Sequence, residues 1–496
     1  MKNRFFIEDD DPFFSSGLWQ PDRKNKTEDH ISRHIVTPAT HDKIYVAPSL
    51  FDQDHTGTPS ESVSVPILQP VAEADPSASL QTANIANISA LADANRRWDD
   101  NAVLGDALTL YYSIPDVMPS YSTGVTPLPF PTAHRNAIRE IIGQTEALTN
   151  LTFVEVPTAQ SAHVAFFYSD LDPGIAGGAY YPYAYETGSY VGDIFIDIAY
   201  TNNPPASAGD FQYHVIMHEL GHALGLKHPF ADTPNLPANE DNTNYTVMSY
   251  TRYLPYPSTY SIYDIAALQY LYGANASTNA GDTIYDLSLL LGTRQTIWDG
   301  GGIDTYDGSS LSHALYIDIA EGAFSTIDAV DNLATAFGAE IENVIGGSAG
   351  DSILGNGLDN EIIGGQGDDF LDGAGGTDEA VYSGHYADYT VNVSGGAGTI
   401  TDNVGSDGTD TVINLERLIF ANGVFENGVF TPNYVGPTII NGTPGNDVPL
   451  DGTSGDDIIS GLDGADVIHG LAGNDQIDGG GWNDEIYGGD DNDTIF

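Results

Sequence analysis

The chain contains no cysteine. No disulfide can brace it, and no thiolate can block a metal centre as a latency switch. Basic residues are scarce, 15 Lys and Arg against 70 Asp and Glu, for a formal net charge of -55. That balance disfavours nucleic acid and anionic membrane surfaces as partners. No apolar run is long enough to cross a membrane, and the opening stretch Met1-Lys2-Asn3-Arg4-Phe5-Phe6-Ile7 lacks the apolar core of a secretory signal peptide. Unneutralised, the charge opposes compaction, so bound divalent ions are expected to offset it locally. A salt-adapted acidic surface is the competing explanation. At 496 residues the chain has room for about three domains with buried cores.

What is present is concentrated in one line, His218-Glu219-Leu220-Gly221-His222-Ala223-Leu224-Gly225-Leu226-Lys227-His228, which fits HExxHxxGxxH at every specified position. Histidines four apart on a helix are separated by about 6 Å of rise and roughly 40° of rotation, so His218 and His222 project towards one point. Neutral imidazoles at ~2.0 Å suit zinc. Gly225 stands where the helix must stop, and a residue without Cβ can turn the chain so that His228 becomes a third ligand. Three ligands leave one position open for a water whose pKa falls to about 7. Glu219 is placed to take its proton. His214 extends the four-residue series, but it is about 12 Å from His222 along the axis, too far to share one ion. It is expected to be a packed or hydrogen-bonded helix residue.

The segment Tyr245-Thr246-Val247-Met248-Ser249-Tyr250 places its methionine twenty residues after His228. Alone, a Met-x-Tyr sequence means only packing. After the zinc motif it is similar to the Met-turn of metzincins. With His228-Pro229 and the segment Ser261 to Asn275, the chain resembles the serralysin-type metzincins, secreted zinc endopeptidases that carry calcium-binding repeats. The resemblance implies a structural role for Met248 and an oxyanion-stabilising role for Tyr250.

Ahead of the motif, Leu108 to Ile114, Leu151 to Val156, His163 to Tyr168, Gly177 to Tyr181 and Gly192 to Asp197 read as strands. Ala133 to Leu148 reads as a helix with Ile138, Ile141, Ile142 and Leu148 on one side, and a further helix ends at Gly273. The fold class expected is an α+β metzincin-like catalytic domain, a twisted, mostly parallel sheet with long helices, followed by an all-β region with parallel β-roll repeats. The resemblance further implies that Gly177 to Tyr181 forms the upper rim of a cleft. An extended polypeptide substrate would pair there with a free backbone edge, giving broad specificity.

From Gly452 to the end, nonapeptides begin at Gly452, Gly461, Gly470, Gly479 and Gly488. Their sixth positions are Asp457, Asp466, Asp475, Asp484 and Asp493, and their eighth are all isoleucine, the GGxGxDxUx period of a calcium-bound parallel β-roll. Glycine permits the turn, aspartate supplies hard oxygen ligands, and isoleucine fills a narrow core. A less regular block carries Asp351, Asp369 and Asp378 at the ligand position, with Asn360 expected to bind more weakly. Asp299 and Asp304 suggest an isolated site of the same kind. A Gly/Asp-rich linker would not hold isoleucine at one phase of nine through five cycles.

The expected map is a loosely folded pro-segment (1–94), a zinc peptidase domain (95–275), a β-rich connection (276–345), a first repeat block (346–381), an intervening β region (382–441) and a second block (442–496). The cofactors expected are one catalytic zinc and several structural calcium ions. The protein is expected to be a secreted monomer without membrane insertion, and the resemblance implies type I export. Relatives of this kind continue past the repeats into a cap, so a natural C-terminus beyond Phe496 is expected. The alternative is a calcium-ordered surface or matrix-binding protein with a vestigial metal site.

Overall fold

The computed structural model describes residues 32–34, 87–92, 96–98, 104–117, 128–171, 175–182, 190–198, 206–231, 233–432, 437–453 and 455–496. Most of the expected pro-segment lies outside them. The chain divides into two compact units, the first ending at Asn275 and also taking in Thr293–Gln295, the second running from Ala276 to Phe496.

The first unit is built on a six-stranded sheet: β1 (Ser32–His34), β2 (Leu108–Ser113), β3 (Leu151–Glu155), β4 (Val164–Ser169), β5 (Gly177–Ala179) and β6 (Asp193–Asp197), in the order β1-β5-β6-β4-β2-β3. β2, β3, β4 and β6 run parallel, whereas β5 is antiparallel to β6 and β1 is antiparallel to β5. β4 and β6 are buried along their whole length, which is why apolar residues are continuous over Val164–Tyr168 in the one and Ile194–Ile196 in the other. Among the described residues the three longest helices of the unit are α1 (Thr132–Leu148), α2 (Phe211–Ala223) and α3 (Ile262–Tyr272). Helix α1 buries the side bearing Ile138, Ile141, Ile142 and Leu148, as its spacing predicts. Helix α3 ends at Gly273, which takes φ +76°.

The edge of β5, expected to be free, is paired in register with β1, with Arg33 opposite Gly178. Nothing in the local sequence of Ser32–His34 marks it as a strand, and its partner lies far along the chain.

The second unit is a pair of rolls made of very short strands. In the first, Ser352–Leu354 and Phe370–Asp372 stack in parallel in one sheet, and Asn343–Ile345 and Glu361–Ile363 in the other. Each strand buries its central residue, so Ile353, Leu371, Val344 and Ile362 line a shared core. The parallel ladder extends beyond the regular repeats on both sides. Thr305–Asp307 and Tyr316–Asp318 join before them, and Thr409–Ile413 and Arg417–Phe420 after them. In the second roll Ile459, Ile468 and Ile477 form the buried core, with Ile486 partly covered. One further turn precedes Gly452, for Asp447 donates its N–H to Asp466 at 2.8 Å, as ligand-position residues elsewhere in the rolls do.

Three-residue strands bury little surface, so these rolls depend on what neutralises their carboxylates. Chelating calcium is therefore expected to melt the second unit first. Circular dichroism and melting curves with and without chelator check this, the β signal collapsing while the helical signal of the first unit persists.

Candidate metal centre

Helix α2 is buried from Gln212 to Ala223, so its histidines project into protein on every side. Asp210 starts the helix by accepting the N–H of Tyr213 at 2.9 Å. It ends because Gly225 takes φ +100°, a left-handed conformation that resists a Cβ. A Cβ at Gly225 would also strike the carbonyl of Arg96.

The turn brings His228 back to the helix. His218, His222 and His228 are all buried and offer ring nitrogens within 4.8 Å of one another, the single such group among the described residues. His218 Nδ1 lies 2.8 Å from the carbonyl of Val247, and His222 Nδ1 lies 2.7 Å from that of Leu226. A carbonyl can only accept, so each Nδ1 carries the proton and each Nε2 keeps its lone pair. The Nε2 atoms of His222 and His228 face each other at 3.1 Å, close to the ~3.3 Å edge of a tetrahedron built on bonds of about 2.0 Å. Burial lowers His218 to about 4, and burial followed by the charges of His222 and His218 holds His228 well below its ordinary value. The neutral imidazole is the ligand form. His214 stands outside the cluster, its ring centroid 5.1 Å from that of Tyr256.

Glu219 is buried, and neither carboxylate oxygen has a hydrogen-bond partner. Burial raises its carboxyl well above the usual range. The backbone of β5 packs on it, since a Cβ added at Gly177 would lie 2.8 Å from Glu219 Oε1. A solitary buried carboxylate is costly, and a cation held by the neighbouring imidazoles would reverse its titration. The donor set, its spacing and this unsatisfied acid fit zinc.

Met248 is fully buried beneath the helix, and a Cβ at Gly221 would come within 2.7 Å of its sulfur. Gly221, unspecified by the motif, is thus required by the Met-turn. Tyr250 stands beside the third histidine, with ring centroids 4.9 Å from His228 and 5.0 Å from Phe230.

Two residues that no motif names also hold this site. Asp264 on α3 is buried and accepts Thr246 Oγ1 at 2.6 Å, the Val247 N–H at 2.7 Å and the Ser261 N–H at 3.1 Å. Since the Val247 carbonyl fixes His218, Asp264 orients this candidate ligand through the segment Thr246–Met248. Burial pushes its carboxyl up to about 7 against those three bonds. Lys227, also buried, donates to the carbonyl of Pro234 at 3.1 Å and to that of Ala231, tying down the loop after His228. The position of Asp264 one turn into a helix beginning at Ser261 signals a cap, but nothing in sequence links it to His218.

In the rolls, one oxygen of several ligand-position acids accepts the N–H of the residue 18 positions earlier. Asp351 donates to Asp369 at 2.8 Å, Asp457 to Asp475 at 2.9 Å, Asp466 to Asp484 at 3.0 Å and Asp475 to Asp493 at 3.1 Å. Asp378 serves Asn360 in the same way at 2.8 Å. The second oxygens of Asp304, Asp369, Asp378, Asp466 and Asp475 are buried without a partner, as expected of acids that await a cation. Asp299 accepts from Tyr285 Oη at 2.5 Å and from the Gly301 N–H at 2.8 Å, and Asp304 accepts the Thr283 N–H at 2.8 Å. Asn360 differs, because its amide donates to the Glu342 carbonyl at 3.0 Å and to Asn356 Oδ1 at 3.1 Å, so this rung is closed by hydrogen bonds.

Comparison with known proteins agrees with both halves of this picture. The family described as RTX calcium-binding nonapeptide repeat matches residues 345–380, 451–481 and 483–496. Serralysin B of Dickeya chrysanthemi is 31% identical over 52% of this chain and 60% of its own length. Metalloprotease AprA of Pseudomonas entomophila is 32% identical over 43% and 51%, and the serralysin of Proteus mirabilis is 30% identical over 54% and 64%. The matches therefore span less than two thirds of each relative. With the histidine cluster they bear out the resemblance to serralysin- and AprA-type metzincins with calcium-binding repeats.

Two outcomes follow from the geometry. Asp264→Ala is expected to weaken zinc affinity about 10- to 100-fold with little change in helix content, read by competition with a chromophoric chelator. Zinc uptake is expected to release a proton from Glu219, because the metal-free acid is raised and a nearby cation lowers it. Affinity should then rise with pH wherever the metal-free acid is still protonated. Calorimetry in buffers of different ionisation enthalpy reads the released proton, and Glu219→Gln should abolish it.

Proposed function

We propose that this protein is a secreted, calcium-dependent zinc metalloendopeptidase that hydrolyses peptide bonds of extracellular proteins with broad specificity. The observation that carries the reading is the convergence of three buried imidazole nitrogens within 4.8 Å beside a buried carboxylate with no hydrogen-bond partner. The similarity to serralysins and to metalloprotease AprA supports both the chemistry and an extracellular setting.

His218, His222 and His228 would hold the ion. When bound, zinc supplies Lewis acidity and lowers the pKa of a water at its open position. The carboxylate of Glu219 takes a proton from the attacking water and hands it to the leaving nitrogen, so the amine departs neutral. Low dielectric around Glu219 strengthens each of these transfers. Tyr250, beside His228, is assigned to the developing oxyanion through its phenol hydroxyl. β5, packed against Glu219, is the strand with which an extended peptide would pair, reading main chain rather than side chain. In the present arrangement Ser32–His34 holds that edge, so a substrate would have to displace the chain's own N-terminal segment.

Glu219→Ala is expected to lower casein cleavage by several orders of magnitude while zinc content and circular dichroism stay near those of the parent. Cleavage at the parent rate would reject Glu219 as the base.

A further inference from the structure

His214 stands outside the histidine cluster, yet it lies one helical turn before His218 on the same face of α2, with ring centroids 6.2 Å apart. It is buried, and its Nδ1 has no hydrogen-bond partner. Aromatic rings from two elements gather beside it. The Tyr256 centroid is 5.1 Å from that of His214, and Phe211, which opens the helix, is 5.7 Å from Tyr256. Arg252 joins this group. Its guanidinium carbon lies 5.2 Å from the centroid of the Phe211 ring, and its Nη1 donates to Tyr256 Oη at 3.5 Å. Arg252 comes two residues after Tyr250, whose ring centroid is 6.1 Å from that of His218.

Burial lowers both His214 and His218, and the Arg252 charge, close enough to be felt at each ring, acts on them in the same direction. A cation at that range also opposes a divalent ion held by His218. An anionic group arriving with the substrate would offset the repulsion. The run of the cleft says which part of a substrate would carry it. β5 packs on Glu219 at Gly177, and further along the same strand direction the Tyr181 ring lies 5.3 Å from that of His222. A peptide antiparallel to β5, as β1 is, runs the other way, from His222 back past Glu219 towards His214. The residues that follow the scissile bond therefore leave on the side of Arg252.

We propose that Arg252, seated on Phe211 and Tyr256 beside His214, is a specificity residue that takes an aspartate or glutamate side chain of the substrate on the leaving-group side of the scissile bond. The planar guanidinium suits a carboxylate, to which it can donate two parallel N–H bonds. The imidazole and aromatic rings beside it lower the local dielectric and strengthen such a pair. This inference rests on the peptidase reading and narrows it. Main-chain pairing along β5 admits many sequences, and Arg252 ranks them.

The experiment gives the full chain, loaded with zinc and calcium, a mixed peptide library whose cleavage products are read by mass spectrometry. Acidic residues are expected to be enriched just after the cleaved bond. For paired peptides with glutamate or glutamine at the enriched position, kcat/KM is expected to differ about 10- to 100-fold. Arg252→Gln should bring that ratio near one while zinc content is retained, and Arg252→Glu should turn the preference towards lysine. The library digest by the unmodified chain needs no variant. Cleavage without an acidic preference there, or a preference that survives Arg252→Gln, overturns this proposal and leaves the peptidase reading standing. Failure of the zinc-loaded chain to cleave any peptide overturns the peptidase reading and this proposal with it.

Discussion

Two backbone carbonyls decide what the metal centre can do. Val247 and Leu226 each accept from an imidazole Nδ1, and this leaves the opposite nitrogens of His218 and His222 with lone pairs directed inward. Without those bonds the rings could take either tautomer, and a buried histidine with its proton on the wrong nitrogen is no ligand. The helix, the glycine turn and the Met-turn all serve this arrangement. Leu226 is in place because the chain reverses at Gly225, and Val247 because Asp264 clamps the Met-turn. A local motif therefore depends on a residue 36 or more positions past its last histidine, which is the ordinary condition of metal sites whose outer partners come from other elements.

The histidines and Glu219 were legible because helical periodicity alone brings His218 and His222 together, and because glycine at 225 has a single stereochemical meaning. The isoleucine phase of the second roll was legible for the same reason, a short period repeated without interruption. What escaped sequence reasoning is non-local. Asp264 acts across space through main-chain atoms, which leave no side-chain signature. The strand Thr409–Ile413 was obscured because the hairpin Tyr389–Asp402 moved it out of step with its neighbours. The pairing of Ser32–His34 with β5 depends on two backbones and on no particular side chain, so composition and periodicity carry no trace of it.

The acidic composition also acquires a structural meaning. A net charge of -55 would ordinarily be dispersed over a solvated surface, yet part of it is buried in the rolls as Asp351, Asp369, Asp378, Asp410, Asp457, Asp466 and Asp475. Each such carboxylate has two oxygens with different duties. In all of them except Asp457, which accepts from Thr453 of its own turn, one oxygen accepts a backbone N–H from another rung, which fixes the stacking register. The other, where no donor reaches it, is left for an ion.

This division separates register from stability. Hydrogen bonds from main chain to carboxylate specify which turn lies on which. Bound cations would then remove the repulsion that those same carboxylates create on burial. Asn360 marks the limit of the scheme, for its amide hydrogens occupy neighbouring oxygens and close the rung without charge. A roll made wholly of such rungs would fold without regard to calcium, and one made wholly of aspartates would stand or fall with it. The first roll mixes both kinds, whereas the second has aspartate at the ligand position of every nonapeptide from Gly452 onward, so the second should respond more steeply to the calcium concentration around it.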